Sequence, residues 1–290
     1  MTWKRAISLV MLVGCVEVAE TAPDDSGQGS VSDEASTPVL AIQNGVSVTG
    51  AGPQQQWEGI VMSLRLINEK QGYVCSATFI SERHLITAAH CYEKPGKQSI
   101  KLRAPGWTTD WETFDDATVF QASGGAAPKI DIAVVDIGRA PEWVTPERRF
   151  RIFAGTPTPA DLHVYGYGAR NDSGEKADHL LRAAPNNATV RVTLAGDGDL
   201  TGPAGEARIC EGDSGGPAIK EGTLPVLWGI NRSASTSILS ILLNPNRLCP
   251  RTGANMQFTN ISGNMAFIEK SLGRPCTRVE VDGQQAAQCW

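Results

Sequence analysis

Short runs of Val, Ile, Leu and aromatic residues recur along this chain between turns built from Gly, Pro and Asp. "GIVMSLRLI", "SATFISERHLITAAH", "DIAVVDI", "LHVYGYG", "ATVRVTL" and "VLWGI" are rich in β-branched and aromatic residues and bounded by breakers, the signature of strands. That cadence points to an all-β fold. One stretch departs from it. In "SGNMAFIEKSLG", Met265, Ile268 and Leu272 fall three and four apart and Gly273 follows as a stop, so a short helix is expected near the C-terminus. The 290 residues, 41% of them apolar, suffice for one large core or two small ones.

The first residues differ in character. "MTWKR" is a short basic segment, followed by an apolar run too brief to span a bilayer, so residues 1–14 read as an export signal. Leu12-Val13-Gly14-Cys15 resembles the lipobox of bacterial lipoproteins, and that resemblance makes Cys15 a lipidated N-terminus. The alternative is an ordinary signal cut near Ala19 or Ala22. The chain is thus expected in a bacterial cell envelope, held only by the lipid on Cys15, or secreted. Residues 15–41 contain Glu17, Glu20, Asp24, Asp25, Asp33 and Glu34 with no basic or aromatic residue, a composition suited to a flexible tether or pro-segment. Those charges dominate the net −5 and leave the body nearly neutral. Nothing there suggests nucleic-acid binding or a polybasic membrane patch.

Seven cysteines are present, and setting Cys15 aside leaves an even number, suited to disulfides in an oxidising compartment. One pairing follows from spacing. "CTRVEVDGQQAAQC" has Asp282-Gly283 at its middle, the residues a type I′ hairpin turn prefers. Folding there sets Val281 against Gln284 and brings Cys276 opposite Cys289 at a non-hydrogen-bonded site, with Cα atoms about 4.5 Å apart. That suits a bridge and makes residues 274–290 a hairpin extension.

The chemistry centres on "GDSGGP" (212–217). A serine hydroxyl is a weak nucleophile until a base takes its proton, and the base needs a third group to orient it. His90 ends "LITAAH" and Asp131 opens "DIAVVDI", an acid leading into an apolar strand. T-A-A-H-C (87–91), D-I-A (131–133) and G-D-S-G-G-P, in that order, resemble the chymotrypsin/trypsin family of serine endopeptidases. "IQNG" (42–45) is similar to the family's mature N-terminus, "GIVMSL" (59–64) to its first long strand, "WGI" (228–230) to its substrate-pocket strand, and "FTNI" (258–261) to the approach to its terminal helix. The resemblance covers residues 42–273. It implies two antiparallel Greek-key β-barrels meeting near residues 150–160, the active site in the cleft between them, a polypeptide substrate, no metal or organic cofactor, and a monomer.

Carried over, the resemblance makes Ser214 the nucleophile, His90 the general base and then acid, and Asp131 its orienter. The backbone N–H groups of Gly212 and Ser214 become the oxyanion hole. Asp213 is expected to pair with the amine freed by an activating protease before Ile42. The preceding "PVLA" offers that protease no Lys or Arg; alternatively, activation does not follow the family's rule. Cys75–Cys91 would close a loop around His90, worth about 3 kcal/mol, and Cys210–Cys249 would join the walls of the substrate pocket. The pocket itself is assigned to Arg208, Glu211, Trp228, Gly229 and Met256. Leu227 takes the place of a serine near the triad aspartate.

Arg208 stands where trypsin-like members bind Lys or Arg side chains through an aspartate, so basic substrates are disfavoured. Acidic selection, small or aliphatic selection, and a blocked pocket in which Arg208 pairs with Glu206 or Glu211 remain open. Two other functions use the same fold: a catalytically silent peptide-binding surface protein, and an esterase. His84, His163 and His179 lack metal-ligand spacing, and "GDGDLTG" (196–202) reads as a turn.

Overall fold

A computed structural model describes residues 18–19, 46–48, 55–68, 71–104, 111–123, 130–168, 181–183, 188–196, 198–205, 208–235 and 254–290. Cys15, His179, Ile42, Glu206 and Cys249 lie outside these.

Two short strands come first, β1 (Val18–Ala19) and β2 (Val46–Ser47). Six longer ones then close a barrel: β3 (Ile60–Asn68), β4 (Gln71–Phe79), β5 (His84–Thr87), β6 (Gly96–Arg103), β7 (Glu112–Gln121) and β8 (Ala133–Asp136). Their order is β4-β3-β6-β7-β8-β5, and β5 pairs back onto β4. Every pairing in the ring is antiparallel and directly opposed residues share a face, so the alternation of each strand brings Val61, Ala77, Phe79, Leu85 and Val135 together on one face, all fully buried. β1 pairs with β4 at Gln71 and Gly72.

The second barrel is built from β10 (Ala160–Gly166), β12 (Val190–Leu194), β13 (Leu200–Pro203), β14 (Pro217–Lys220), β15 (Val226–Ser235) and β16 (Asn255–Asn260); β9 (Arg151–Phe153) and β11 (Arg182–Ala183) flank it. The ring runs β10-β12-β13-β16-β15-β14 and returns to β10. β11 and then β2 extend it beside β10, while β9 joins β15 in parallel. Leu162, Val164, Val192, Met256 and Phe258 fill its core.

After β16 the chain crosses back to the first barrel. Met265, Ile268 and Leu272 form the buried stripe of an eight-residue helix, Met265–Leu272, that joins the first barrel's core. Gly273 ends it at φ 68°, where a side chain would be strained. The hairpin β17 (Thr277–Val281) and β18 (Gln284–Gln288) follows, with Val281 opposite Gln284 and Asp282 and Gly283 at φ 48° and 74°. Cys276 and Cys289 are bridged at a Cα separation of 4.4 Å. β18 pairs with β9 and so adds the hairpin to the second sheet. Among the described residues no helix is long and apolar enough to cross a membrane.

Candidate active site

β5 and β8 run antiparallel with Thr87 opposite Ala133, so the turn that follows β5 meets the residues that precede β8. That register puts His90 beside Asp131. The Asp131 carboxylate accepts the Nδ1–H of His90 at 2.7 Å and its backbone N–H at 2.9 Å. Gln121 Nε2 donates to the carbonyls of Ala89 and Tyr92, at 2.9 and 3.0 Å, which fixes the short turn carrying the imidazole. The Cys75–Cys91 disulfide ties the same turn to β4. With Nδ1 held by a carboxylate, Nε2 is left as the basic nitrogen. Cys75, His90 and Cys91 also bring three metal-type donors together, but both sulfurs are consumed in the disulfide and only the imidazole can ligate.

Ser214 comes from the second barrel. Its carbonyl accepts the N–H of Ser76 at 2.8 Å, and Cys91 Sγ lies 3.9 Å from the same oxygen, which binds the serine turn to the neighbour of His90. A Cβ on Gly215 would fall 2.0 Å from Thr87 Oγ1 and 3.0 Å from Ala88 N, so the chain beyond Ser214 lies hard against the approach to His90. Gly212 has φ 91°, and a Cβ there would meet Gly168 Cα at 2.8 Å; glycine is required on both counts. In this turn the N–H groups of Asp213, Gly215 and Gly216 donate to the carbonyls of Cys210, Asn231 and Asp213. Among the described residues those of Gly212 and Ser214 donate to no protein acceptor.

Asp213 is wholly buried between them. One carboxylate oxygen accepts the N–H of Gly168 at 2.7 Å and the other that of Cys210, also at 2.7 Å. Burial pushes the carboxyl up to about 7, while those two N–H bonds and the charge of Arg182 pull it down. Asn231 Nδ2 donates to the carbonyls of Tyr165 and Asp213, at 2.9 and 3.2 Å, and stiffens the turn from behind.

Several pocket assignments made from sequence do not match the positions in the fold. Trp228 is 2% exposed, stacked on Phe153 at 3.8 Å, and its Nε1–H donates to Gln284 at 2.9 Å. Gly229 faces Phe258, and Leu227 is buried opposite Ile152 of β9. These residues belong to the base of the second sheet, not to a pocket wall beside Asp131. β15 runs on to Ser235, and the residue that faces Asp131 is Arg232: its Nε lies 3.7 Å from Asp131 Oδ2, and its Nη1 pairs with Asp199. The ten residues of β15 hold a single tryptophan near their start, and the strand's register carries Arg232, not Leu227, to Asp131. Met256 is fully buried on β16, opposite Gly202 and Ala234. Arg208 is buried and Glu211 is partly exposed, next to the serine turn in sequence. Cys210 is disulfide-bonded, and its expected partner Cys249 is outside the described residues.

Arg232, Asp199, Ser76 and Arg182 were not singled out from sequence. None carries a local motif; each matters only through what the fold sets opposite it. His84 is a buried histidine whose Nδ1 lies 2.6 Å from Ser81 Oγ, and its proton affinity is lowered by burial, which outweighs Asp136 nearby.

Two closed antiparallel barrels, with a histidine and an aspartate from one and a glycine-bounded serine turn from the other, define the chymotrypsin-like class of fold. The family model described as Trypsin matches residues 36–237, and the chain belongs to the trypsin family of serine proteases. It is similar to trypsin delta and trypsin gamma of Drosophila erecta, 23% identical to each over 172 residues, which span 53% of this chain and 68% of theirs. Trypsin beta of the same organism is 24% identical over 173 residues.

Proposed function

We propose that this protein is an exported serine endopeptidase that cleaves peptide bonds through Ser214, His90 and Asp131, with a preference other than Lys or Arg. The observation that carries this reading is the clamp of Asp131 on both the Nδ1–H and the backbone N–H of His90, beside a serine turn with two uncommitted N–H groups. Ser214 Oγ attacks the scissile carbonyl carbon and its proton passes to His90 Nε2. The oxyanion forms between the N–H groups of Gly212 and Ser214. Collapse breaks the C–N bond as His90 returns the proton to the leaving amine. Water then repeats the sequence on the acyl-enzyme, and Asp131 stabilises the imidazolium in both halves.

Arg208, six residues before Ser214, gives the pocket a cation where a basic side chain would need an anion, which favours acidic or small side chains. Glu211 weakens acidic selection at the rim. The disulfides favour an oxidising compartment, in keeping with the signal at residues 1–14 and a lipid on Cys15.

The test is labelling with a fluorophosphonate, read by intact mass beside Ser214→Ala. A single adduct on the wild type and none on the variant is the expected result. A properly folded wild type that takes no label in any processed form would sink the hydrolase reading. A peptide library then reports whether acidic or small residues precede the cut; efficient cleavage after Lys or Arg would contradict the role given to Arg208.

A further inference from the structure

The buried carboxylate of Asp131 meets more than His90. Its Oδ1 accepts the backbone N–H of His90 and its Oδ2 the Nδ1–H, while Arg232 Nε stands 3.7 Å from that same Oδ2, an ion-pair contact longer than a hydrogen bond. Arg232 Nη1 pairs in turn with Asp199 Oδ2. A line of alternating charge, Asp131, Arg232 and Asp199, therefore runs from the imidazole into the second barrel. Asp131 is 2% exposed, and the side chains of Arg232 and Asp199 are 24% and 16% exposed, so the three interact where solvent screening is weak.

Local backbone devices aim both added groups. The pairing of β15 with β16 shifts register between Asn231, opposite Phe258, and Ser233, opposite Gln257, so Arg232 is the extra residue of a β-bulge. A bulge re-aims the side chain it carries. The residue before it is committed elsewhere, since Asn231 Nδ2 donates to the carbonyls of Tyr165 and Asp213. Asp199 closes the turn between β12 and β13. The N–H of Ala195 donates to Asp199 O at 2.7 Å, and that of Gly198 to Ala195 O at 3.0 Å. From β16, Asn260 Nδ2 donates to Gly198 O at 3.1 Å and its backbone N–H to Asp199 Oδ1 at 3.4 Å. The turn read from "GDGDLTG" is thus pinned to β16 and presents a carboxylate to Arg232.

We infer that Arg232 and Asp199 complete the charge set of the His90–Asp131 pair: Arg232 is a positioning residue that ties Asp131 to the second barrel, and Asp199 is the carboxylate that offsets the cation this places beside the base. The inference rests on the serine-hydrolase reading above, in which His90 becomes an imidazolium against Asp131. A guanidinium at Asp131 disfavours that imidazolium, because the two cations repel and share one anion. A carboxylate on the far side of the guanidinium acts in the opposite sense. Arg232 can therefore anchor Asp131 while His90 keeps its power to take a proton. Other groups also surround His90. Glu93 and Lys94 follow it in the chain and are exposed to solvent, which screens them. Asp213 of the serine turn is fully buried, its two oxygens accepting the N–H groups of Gly168 and Cys210. Gln121 of β7 meets the turn with a neutral amide. None of these changes when Arg232 or Asp199 is replaced.

The experiment follows the rate of fluorophosphonate labelling from about pH 5 to 9, where the midpoint of the acid limb reports the base. It uses the full chain in whichever processed form takes the label, with Ser214→Ala as the control. The variants are Arg232→Met, Asp199→Asn, the two combined, and Arg232→Lys. Arg232→Met removes a positive charge and should move the midpoint up by at least about half a pH unit; Asp199→Asn removes a negative one and should move it down by about as much. The combined variant leaves the sum of charges unchanged and should return to within about 0.3 pH unit of the wild type, as should Arg232→Lys. Lost packing alone would slow labelling without ordering the midpoints by charge. Midpoints that coincide, or that move the same way for Arg232→Met and Asp199→Asn, would overturn the inference while a Ser214-dependent label upholds the hydrolase reading. No label on any form would remove both. Should Arg232→Met fail to fold, Asp199→Asn decides alone: a midpoint that does not fall overturns the charge set.

Discussion

The Asp213 carboxyl titrates near neutrality because it is wholly buried, and this has a consequence for stability. Its proton is held more tightly in the folded chain than in the unfolded one. The contribution is therefore fully present below about pH 4, where both states are protonated, and declines as pH rises towards about 7. Asp213→Asn should flatten that decline, as urea unfolding at about pH 4.5 and 7.5 would reveal; an unchanged slope would assign it to other groups. Glycines beside this carboxyl are equally exacting. Gly166→Ala should destabilise by about 2–4 kcal/mol, since its Cβ would collide with Asp213 Oδ1 at 2.2 Å, with nothing flexible to yield. Gly196→Ala, where a Cβ meets nothing within 4 Å, should stay within about 1 kcal/mol of the wild type.

Among the elements, the C-terminal hairpin is the most legible and the most consequential. Asp282-Gly283 adopts the positive φ values its turn requires, and the register that follows brings the two cysteines together. Nothing in the segment announces its second role, as a cover for the base of the second barrel. β18 joins β9, and Gln284 accepts the indole N–H of Trp228 in a buried site. Gln284→Leu should cost about 1–3 kcal/mol through that orphaned donor. Replacing Cys276 and Cys289 by serine should cost about 2–3 kcal/mol. Thermal unfolding of the two variants and their combination checks both, and losses that vanish when the hairpin is intact but its disulfide open would show that the sheet pairing alone suffices.

At the scale of the molecule, the meeting of His90 and Asp131 with the serine turn exists only because two barrels are held in register. Ser76 of the first barrel is the hinge of that contact. Its N–H donates to Ser214 O at 2.8 Å, its Oγ donates to Gly212 O at 3.0 Å, and the same Oγ accepts the N–H of Tyr167 at 3.0 Å. Thr259 of the second barrel returns a bond to the carbonyl of Asp131 at 2.9 Å, and Tyr167 one to Ile60 O at 2.9 Å. Ser76→Ala strands two backbone groups at the seam. It should lower stability by about 2–3 kcal/mol and slow fluorophosphonate labelling about tenfold as the oxyanion turn loosens. A melt shifted with labelling untouched would mean that the turn is held from its own barrel alone.

What the sequence settled by itself was local. Strand cadence, the Asp-Gly turn, the helix with its glycine stop, and the three chemical motifs are all written within a few residues, because backbone preference and side-chain period act over that range. His90, Asp131 and Ser214 could be named without the fold, since each sits in a short motif of its own. What the sequence could not settle was what lies across a sheet. A shift of five residues along β15, from Leu227 to Arg232, moved Trp228 from a supposed pocket wall to the base of the second sheet and put Arg232 beside Asp131. Arg182 came within electrostatic reach of Asp213 only when β11 was laid against Gly166. Register is decided by the packing of the whole barrel, in which each strand is positioned by neighbours far away in the chain, and for that reason only the tertiary structure could decide it.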